Sequence, residues 1–219
     1  ESRNLKIIKK DFVSNVSHEI KTPLTSIKGF VDTLIEEESD PKKLEFLEII
    51  KKNTDRLNNI VKDLLILSEL EKDDSRLHLS TINLNNLVGE VVKIFKKDIA
   101  RKRLNLRALF SHDDITIRGD RFKLEQVFIN LIDNAVKYTE SGGITITADH
   151  KGQEVTIRVS DSGIGISERH QQRIFERFFV VDKSRSRRSG GTGLGLSIVK
   201  HIVLQHHGTI NVSSNLNEG

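Results

Sequence analysis

The chain begins with a long apolar pattern in the run LKIIKKDFVSNVSHEIKTPLTSIKGFVDTL, residues 5–34. Its apolar side chains recur at steps of three and four residues, which is the spacing of one face of an α-helix. They are Leu5, Ile8, Phe12, Val16, Ile20, Ile27, Val31 and Leu34. The same spacing returns at Leu44, Leu47, Ile50, Leu57, Val61 and Leu64. The sequence therefore predicts two long amphipathic helices.

The segment EEESDP, residues 36–41, separates these two helices. Its like charges repel each other, and Pro41 suits the first turn of a new helix. Two helices joined by so short a loop pack antiparallel. A lone hairpin buries only one seam, so we expect two copies to form a dimeric four-helix bundle, which makes the protein a homodimer.

The composition changes near residues 72–75. Both prolines and only one glycine, Gly29, precede this point, and the other glycines follow it. We predict one domain over residues 1–72 and a second over 73–219. In the second domain, strands are predicted at 104–109, 115–118, 144–148, 155–161 and 209–213, and helices at 84–101, 121–139 and 194–206. Separate blocks of hairpins and helices predict the α+β class, with helices layered on one face of a sheet.

The overall composition excludes several function classes. Lys and Arg number 35 against 31 Asp and Glu, and this mild net charge of +4 gives no reason to expect a nucleic-acid partner. The absence of cysteine excludes disulfides, thiolate metal sites and thiol nucleophiles. No apolar run approaches the roughly 18 residues of a membrane span. We expect a soluble piece of a longer protein, with any membrane anchor outside it.

The segment SHEIKTP, residues 17–23, combines several reactive groups on the first helix. At about 100° per residue, His18 points away from the apolar stripe, and Lys21 and Thr22 share its face, with Glu19 one step round. An exposed imidazole with a carboxylate, an ammonium and a hydroxyl group provides a nucleophile, a base, a phosphate counter-charge and a water-positioning group. The alternative is an ordinary surface histidine.

The segment NLIDNAVKY, residues 130–138, places polar groups on a mostly apolar helix. Asn130 and Asn134 are four residues apart and share a direction, with Lys137 close to both. Their amide oxygens suit a divalent metal bound to phosphate, and the lysine suits the phosphates themselves. The alternative is polar capping of a helix surface.

Two glycine-rich segments follow. After a predicted strand, the carboxylate of Asp161 is placed to accept from an exocyclic amine, and Gly163 and Gly165 allow a ligand close to the backbone. Such glycine pairs are often only turns. Residues 190–195, GGTGLG, precede a helix whose N-terminal amides suit phosphate. The basic stretch before them, residues 183–188, is interpreted as a flap over the ligand.

In this order, the segments resemble the cytoplasmic core of bacterial sensor histidine kinases of two-component systems, of the phosphate-sensing and cell-wall-sensing type. The similarity covers residues 12–28 (the H box), 130–138 (N box), 161–165 (G1 box), 173–178 (F box) and 191–195 (G2 box). It implies a dimerising phosphotransfer hairpin followed by an α/β sandwich, the Bergerat-type ATP-binding domain. The protein would then be the cytoplasmic portion of an inner or plasma membrane protein, attached through a sensor segment absent from this chain.

The resemblance implies a role for each motif residue. His18 would take the γ-phosphoryl group of ATP and pass it to an aspartate of a response regulator receiver domain. Glu19 would orient or deprotonate the ring, and Glu19 with Thr22 matches an E-x-x-T phosphatase pattern. Asp161 would hold the adenine amine, and Asn130 would ligate Mg²⁺. The other implied nucleotide contacts are Asn134, Lys137, Tyr138, Gly163, Gly165, Gly191, Thr192, Gly193, Leu194 and Gly195.

Two departures from the family pattern leave alternatives open. Val180 stands where relatives carry an arginine that neutralises transferring phosphate, and the chain stops at Gly219 before the family's final strand. One alternative is an ATP-hydrolysing machine of the same nucleotide fold, but those carry a glutamate base at the position of Asn130. The other is a non-enzymatic dimerising module, which Val180 keeps open.

Overall fold

The computed structural model describes residues 2–71, 76–110, 115–152, 154–182 and 190–219; of residues 2–19 and residue 151 it describes the backbone alone. The chain divides into two compact units. The first contains the described parts of residues 1–75 and 177–194, and the second contains those of 76–176 and 195–219.

The first unit contains the predicted helical hairpin, formed by α1 (Ser2–Glu37) and α2 (Pro41–Leu70). Asp40 caps α2, since its side chain accepts from the amide of Lys42 at 2.8 Å. Glu38 accepts from the amides of Ser39 and Asp40, each at 2.9 Å, and these bonds hold the pKa of Glu38 below its ordinary value. The acidic loop therefore ends one helix and starts the next, as predicted.

An apolar seam and two ion pairs join α1 to α2. Among the described residues of the hairpin, the buried side chains are Leu24 and Val31 on α1 and Thr54, Val61, Leu67 and Leu70 on α2. Lys28 pairs with Asp55 at 2.5 Å and Lys51 with Asp32 at 2.8 Å. Because the Lys51 ammonium donates to the Asp32 carboxylate, the pKa of Asp32 is lowered and that of Lys51 is raised.

A second apolar face of the hairpin is exposed in the single chain. Its members are Ile20, Ile27, Phe30 and Leu34 on α1 and Phe46, Ile49, Ile50 and Leu57 on α2. These positions recur at steps of three, four and seven residues, which is the spacing of a helix-packing stripe.

The second unit combines two small sheets with helices. Its elements are β1 (Leu79–Asn83), α3 (Leu84–Ile94), α4 (Lys96–Lys102), β2 (Asn105–Phe110), β3 (Thr116–Asp120), α5 (Arg121–Tyr138), β4 (Gly143–Lys151), β5 (Glu154–Asp161), α6 (Glu168–Gln171) and α7 (Gly195–Gln205). Strand β1 pairs antiparallel with β3, whereas β4 lies between a parallel β2 and an antiparallel β5. This arrangement of strands and helices confirms the predicted α+β class.

The core of the second unit lies where β4 meets the apolar faces of α3 and α5. Ile144, Ile146 and Ala148 of β4 are fully buried at alternate positions, as the period-2 pattern predicts. Phe128 and Ile132 of α5 are equally enclosed, which fixes the direction in which the opposite face of α5 points.

Two sequence predictions are wrong in detail, and one strand is missed. The helix predicted over 84–101 is broken at Phe95, whose buried ring and non-helical backbone separate α3 from α4. Strand β1 was not predicted, because only Ile82 of its five residues is buried. Residues 209–213 alternate in exposure but form no strand, since the described part of the chain gives them no ladder of backbone hydrogen bonds.

Candidate functional site

The C-terminal end of α5 lies directly against the loop that follows β5. The amide of Ile164 donates to the carbonyl of Tyr138 at 3.4 Å. A Cβ at Gly163 would lie 2.6 Å from the Tyr138 carbonyl oxygen and 2.6 Å from Oδ1 of Asp161. Only a glycine permits this approach, so the structure joins the predicted G1 segment to the end of the predicted N segment.

The carboxylate of Asp161 is oriented by contacts to one of its oxygens, Oδ1. Its Oδ1 accepts from the amide of Gly163 at 2.9 Å and lies 3.4 Å from the hydroxyl of Thr139. Thr139 is fully buried, whereas Asp161 is half-buried. These contacts orient a carboxylate at the strand's end, where it can accept a hydrogen bond from a ligand.

Asn130 connects α5 to the start of α7. Its amide nitrogen donates to the carbonyl of Gly195 at 3.2 Å, and its Oδ1 accepts from Gln126 at 3.2 Å. A Cβ at Gly195 would lie 3.5 Å from the Asn130 side chain, an ordinary contact. Asn130 and Gly195 therefore meet within one unit, as the predicted site requires.

The donor set around Asn130 is compatible with Mg²⁺. The described residues contain no cluster of three or more His, Asp or Glu side chains that could cage a metal ion. Mg²⁺ is usually bound by one or two protein oxygens together with substrate phosphates and water. A single amide oxygen such as Oδ1 of Asn130 fits that mode of binding.

By helix periodicity, Asn134, Lys137 and Tyr138 lie on the same side of α5 as Asn130. Lys137 forms an ion pair with Asp133 at 2.6 Å, so its ammonium must exchange partners to reach a phosphate. Asn134 and Tyr138 are half-buried on α5.

The loop around Gly165 is enclosed by the end of the chain. Gly165 has a φ of +65°, and a Cβ there would collide with the backbone of Asn215. The amide of Asn217 donates to the carbonyl of Ile164 at 2.8 Å. The C-terminal residues 215–217 therefore pack against the G1 segment.

Residues 191–194 of the predicted G2 segment belong to the first unit, while Gly195 belongs to the second. In the first unit, Thr192 donates through its hydroxyl to Asp63 of α2 at 2.7 Å. Nearby, Arg56 donates to the carbonyl of Gly191 at 3.3 Å. Gly193 has a φ of +73°, which a glycine tolerates best.

The predicted phosphoacceptor segment is described only in part. Residues 17–23 are helical, as predicted, and the side chains of Lys21 and Thr22 are exposed. The side chains of His18 and Glu19 lie outside the part of the chain that the structure describes. The predicted domain boundary at residues 72–75 and the predicted flap at residues 183–188 also lie outside it. In the described part of the chain, no helix has the length and apolar character needed to cross a membrane.

Sequence reasoning missed four residues that contact predicted site residues: Gln126, Asp133, Thr139 and Lys102, whose ammonium donates to the carbonyl of Lys137 at 3.1 Å. Gln126 lies four residues before Asn130, and that spacing could have identified it. Thr139 and Lys102 carry no such signal, because their partners lie 22 to 37 residues away along the chain.

Comparison with known proteins agrees with this geometry. Residues 8–73 match the His Kinase A (phospho-acceptor) domain. Residues 119–219 match the family described as histidine kinase-, DNA gyrase B-, and HSP90-like ATPase. Over 215 residues the chain is 36% identical to the phosphate regulon sensor protein PhoR of Pseudomonas aeruginosa, covering 96% of this chain and 48% of PhoR. The chain thus spans about half the length of that relative.

Solved structures of similar chains are histidine kinases. Full-length ShkA in complex with AMPPNP superposes with a TM-score of 0.77 at 27% identity, over 95% of this chain and 43% of ShkA. Histidine kinase ThkA in complex with the response regulator protein TrrA gives a TM-score of 0.64 at 31% identity, over 95% of this chain and 58% of that one. The catalytic domain of ThkA alone is 30% identical, with a TM-score of 0.56, over 64% of this chain and 89% of the domain. With both domain families matched and the N, G1 and α7 segments in contact, this chain belongs to the sensor histidine kinases of two-component systems.

Proposed function

We propose that this chain is a protein-histidine kinase core that phosphorylates His18 from Mg-ATP and passes the phosphoryl group to an aspartate of a response regulator. One observation carries the proposal: both ends of the N segment are in direct contact with other predicted nucleotide-binding segments, Asn130 with Gly195 at one end and Tyr138 with Gly163 and Ile164 at the other. The complex of ShkA with AMPPNP supports ATP as the nucleotide.

In the first step, a ring nitrogen of His18 attacks the γ-phosphorus of ATP. The new N–P bond forms as the bond from the γ-phosphorus to the β,γ-bridging oxygen breaks, and ADP leaves with that oxygen. Glu19 holds or accepts the proton on the other ring nitrogen, which leaves the attacking nitrogen with its lone pair. Lys21, exposed on the same helix, offsets phosphate charge.

The nucleotide is held by residues of the N, G1 and G2 segments. Asp161 accepts from the adenine amine, and Gly163 lets the base lie close to the backbone. Asn130 is the protein ligand for Mg²⁺, which neutralises charge on the phosphates when bound. The remaining proposed contacts are Asn134, Lys137, Tyr138 and Gly165, with Gly191, Thr192, Gly193, Leu194 and Gly195 at the phosphates.

In the second step, a receiver-domain aspartate attacks the phosphorus on His18, and the N–P bond breaks as the acyl phosphate forms. The complex of ThkA with TrrA supports a response regulator as the partner. We also assign to the chain a phosphatase activity, in which Glu19 and Thr22 align water against the regulator's phospho-aspartate. The exposure of Thr22 is compatible with that contact.

The partner for the exposed apolar face of the hairpin is a second copy of this chain. Phe30 is 72% exposed and Phe46 is 63% exposed, which a helical stripe in water does not tolerate without a partner. Pairing two hairpins gives the four-helix bundle predicted from the sequence. The proposed domains are residues 1–72 for dimerisation and phosphotransfer and 73–219 for ATP binding. The whole protein is proposed to be anchored in a membrane by a sensor segment outside this chain.

Incubation of the chain with γ-labelled ATP and Mg²⁺ tests this function. We expect a label on the protein that is lost in acid and kept in alkali, and its complete absence in His18→Ala, which should still bind nucleotide. Released phosphate without protein label would indicate the ATPase alternative, and neither product would indicate a non-enzymatic module.

A further inference from the structure

The helix that carries the N segment ends without a glycine cap. Helix α5 ends at Tyr138, so the carbonyls of Val136, Lys137 and Tyr138 have no partner inside the helix. The amide of Ile164 serves the carbonyl of Tyr138 at 3.4 Å. The other two carbonyls need donors from elsewhere in the chain.

Lys102, the last residue of α4, supplies those donors. Its ammonium donates to the carbonyls of Val136 at 2.7 Å, Lys137 at 3.1 Å and Thr139 at 3.0 Å. A lysine has three N–H donors on one atom, so three converging carbonyls match its full capacity. A positive charge at this end also complements the helix dipole. Lys102 is half-buried, which limits competition from water.

The same turn supports the carboxylate of Asp161. The hydroxyl of Thr139 lies 3.4 Å from Oδ1 of Asp161, and Gly163 fits between Asp161 and the Tyr138 carbonyl with no room for a Cβ. A displacement of the turn must therefore move Asp161 or the Gly163 amide that orients it. In the described part of the chain, the hydrogen bonds of the Lys102 ammonium all go to the last residues of α5 and the turn that follows it.

We propose that Lys102 is a positioning residue for adenine recognition: by holding the end of α5, it sets where Asp161 meets the exocyclic amine. This inference rests on the proposed nucleotide-binding function. It assigns a role to a residue outside every motif that the sequence analysis identified.

The chain contains no cysteine, which allows a chemical test. Lys102→Cys introduces a single thiol, and alkylation in urea with bromoethylamine, followed by refolding, gives a thioether that carries an ammonium close to the original position. Iodoacetamide gives a neutral side chain of similar size. Calorimetry then compares the binding of AMPPNP with that of its inosine counterpart, which lacks the amine that Asp161 recognises.

We expect the carbamidomethylated protein to bind AMPPNP about tenfold more weakly, the effect of losing one charge-assisted set of hydrogen bonds. The inosine analogue should lose less affinity, so the preference for adenine should shrink, and aminoethylation should restore it. Lys102→Met, which keeps the alkyl stem without the charge, should behave like the carbamidomethylated form. Asn83→Ala removes the cap of α3, where Asn83 accepts from the Asn86 amide at 3.0 Å, and should leave the preference unchanged.

Equal adenine preference in the two alkylated proteins would overturn the proposal. So would a carbamidomethylated protein that fails to fold by circular dichroism while the aminoethylated one folds, because Lys102 would then be a stability residue only. If the unaltered chain binds neither nucleotide, the proposed function itself fails, which is a separate result.

Discussion

At the scale of single residues, the close packing of the G1 loop on α5 requires a glycine at position 163. Gly163→Ala would put a Cβ 2.6 Å from two oxygens, one of them a backbone carbonyl. We expect a loss of about 1–3 kcal/mol in unfolding free energy, typical of overpacking, together with a loss of AMPPNP binding. Denaturant unfolding and calorimetry measure the two effects.

Gly89→Ala is the matched control for this substitution. Gly89 lies inside α3 with nothing within 4 Å of an added Cβ, so alanine should stabilise the protein by up to about 1 kcal/mol and leave binding intact. Wild-type affinity in Gly163→Ala would contradict the close packing of the G1 loop on α5.

The proposed phosphatase activity depends on one exposed hydroxyl group. Thr22→Ala should slow dephosphorylation of a phosphorylated receiver domain at least about tenfold, because the water is no longer aligned, and should leave phosphorylation of His18 largely unchanged. Thr33→Ala is the control on the same helix, since the Thr33 hydroxyl donates to the Gly29 carbonyl at 3.1 Å. Equal dephosphorylation by both variants would remove Thr22 from the mechanism.

The residues of the site were predictable to different degrees. Asn130 could be found because it lies four residues before Asn134 on a mostly apolar helix. Asp161 could be found because it ends a predicted strand two residues before Gly163. Thr139 and Lys102 could not, because a buried hydroxyl and a half-buried ammonium find their partners only when distant segments fold together. Asp133 was also missed as the partner of Lys137, although the four-residue spacing permits that pair.

At the scale of elements, the exposed stripe on the hairpin can be tested directly. Phe30→Asp places a charge in the centre of the proposed helix bundle, where it cannot be solvated, and should shift the chain from dimer to monomer. Sedimentation equilibrium measures the change. Phe122→Asp is the control in the other unit, where Phe122 is 81% exposed. A chain that is already monomeric, or a Phe30→Asp variant that stays dimeric, would exclude this face as the interface.

Helices and strands were predicted correctly where the apolar spacing repeats over many residues, and were missed or misplaced where it extends over only a few. Helices α1, α2 and α5 repeat their apolar spacing over many residues, so their existence was clear from sequence. Strand β1 has one buried side chain, and the break at Phe95 depends on a ring that packs into the core formed by other segments. The alternation at residues 209–213 described exposure correctly but gave no information on a pairing partner.

At the scale of the whole molecule, the two compact units do not follow the order of the chain, because each combines segments that are separate in sequence. The described residues of the segment 177–194 follow the N and G1 segments in sequence, yet their contacts group them with the hairpin. The ion pair of Arg177 with Glu71 and the bond of Arg56 to the Gly191 carbonyl are part of that grouping. The sequence could not show this, because charged residues on a solvated helix face have many possible partners.

If Thr192 serves the phosphates as proposed, we expect nucleotide affinity to depend on α2. The hydroxyl of Thr192 is proposed to serve the phosphates, but its proton is donated to Asp63 at 2.7 Å. Asp63→Ala should release that donor and raise the affinity for AMPPNP about threefold to tenfold, as for a lost bond to a charged acceptor. Asp55→Ala, on the same helix but paired with Lys28, should leave the affinity unchanged. Calorimetry on the three proteins decides the matter: weaker binding in Asp63→Ala would mean that this contact supports the nucleotide instead of competing with it.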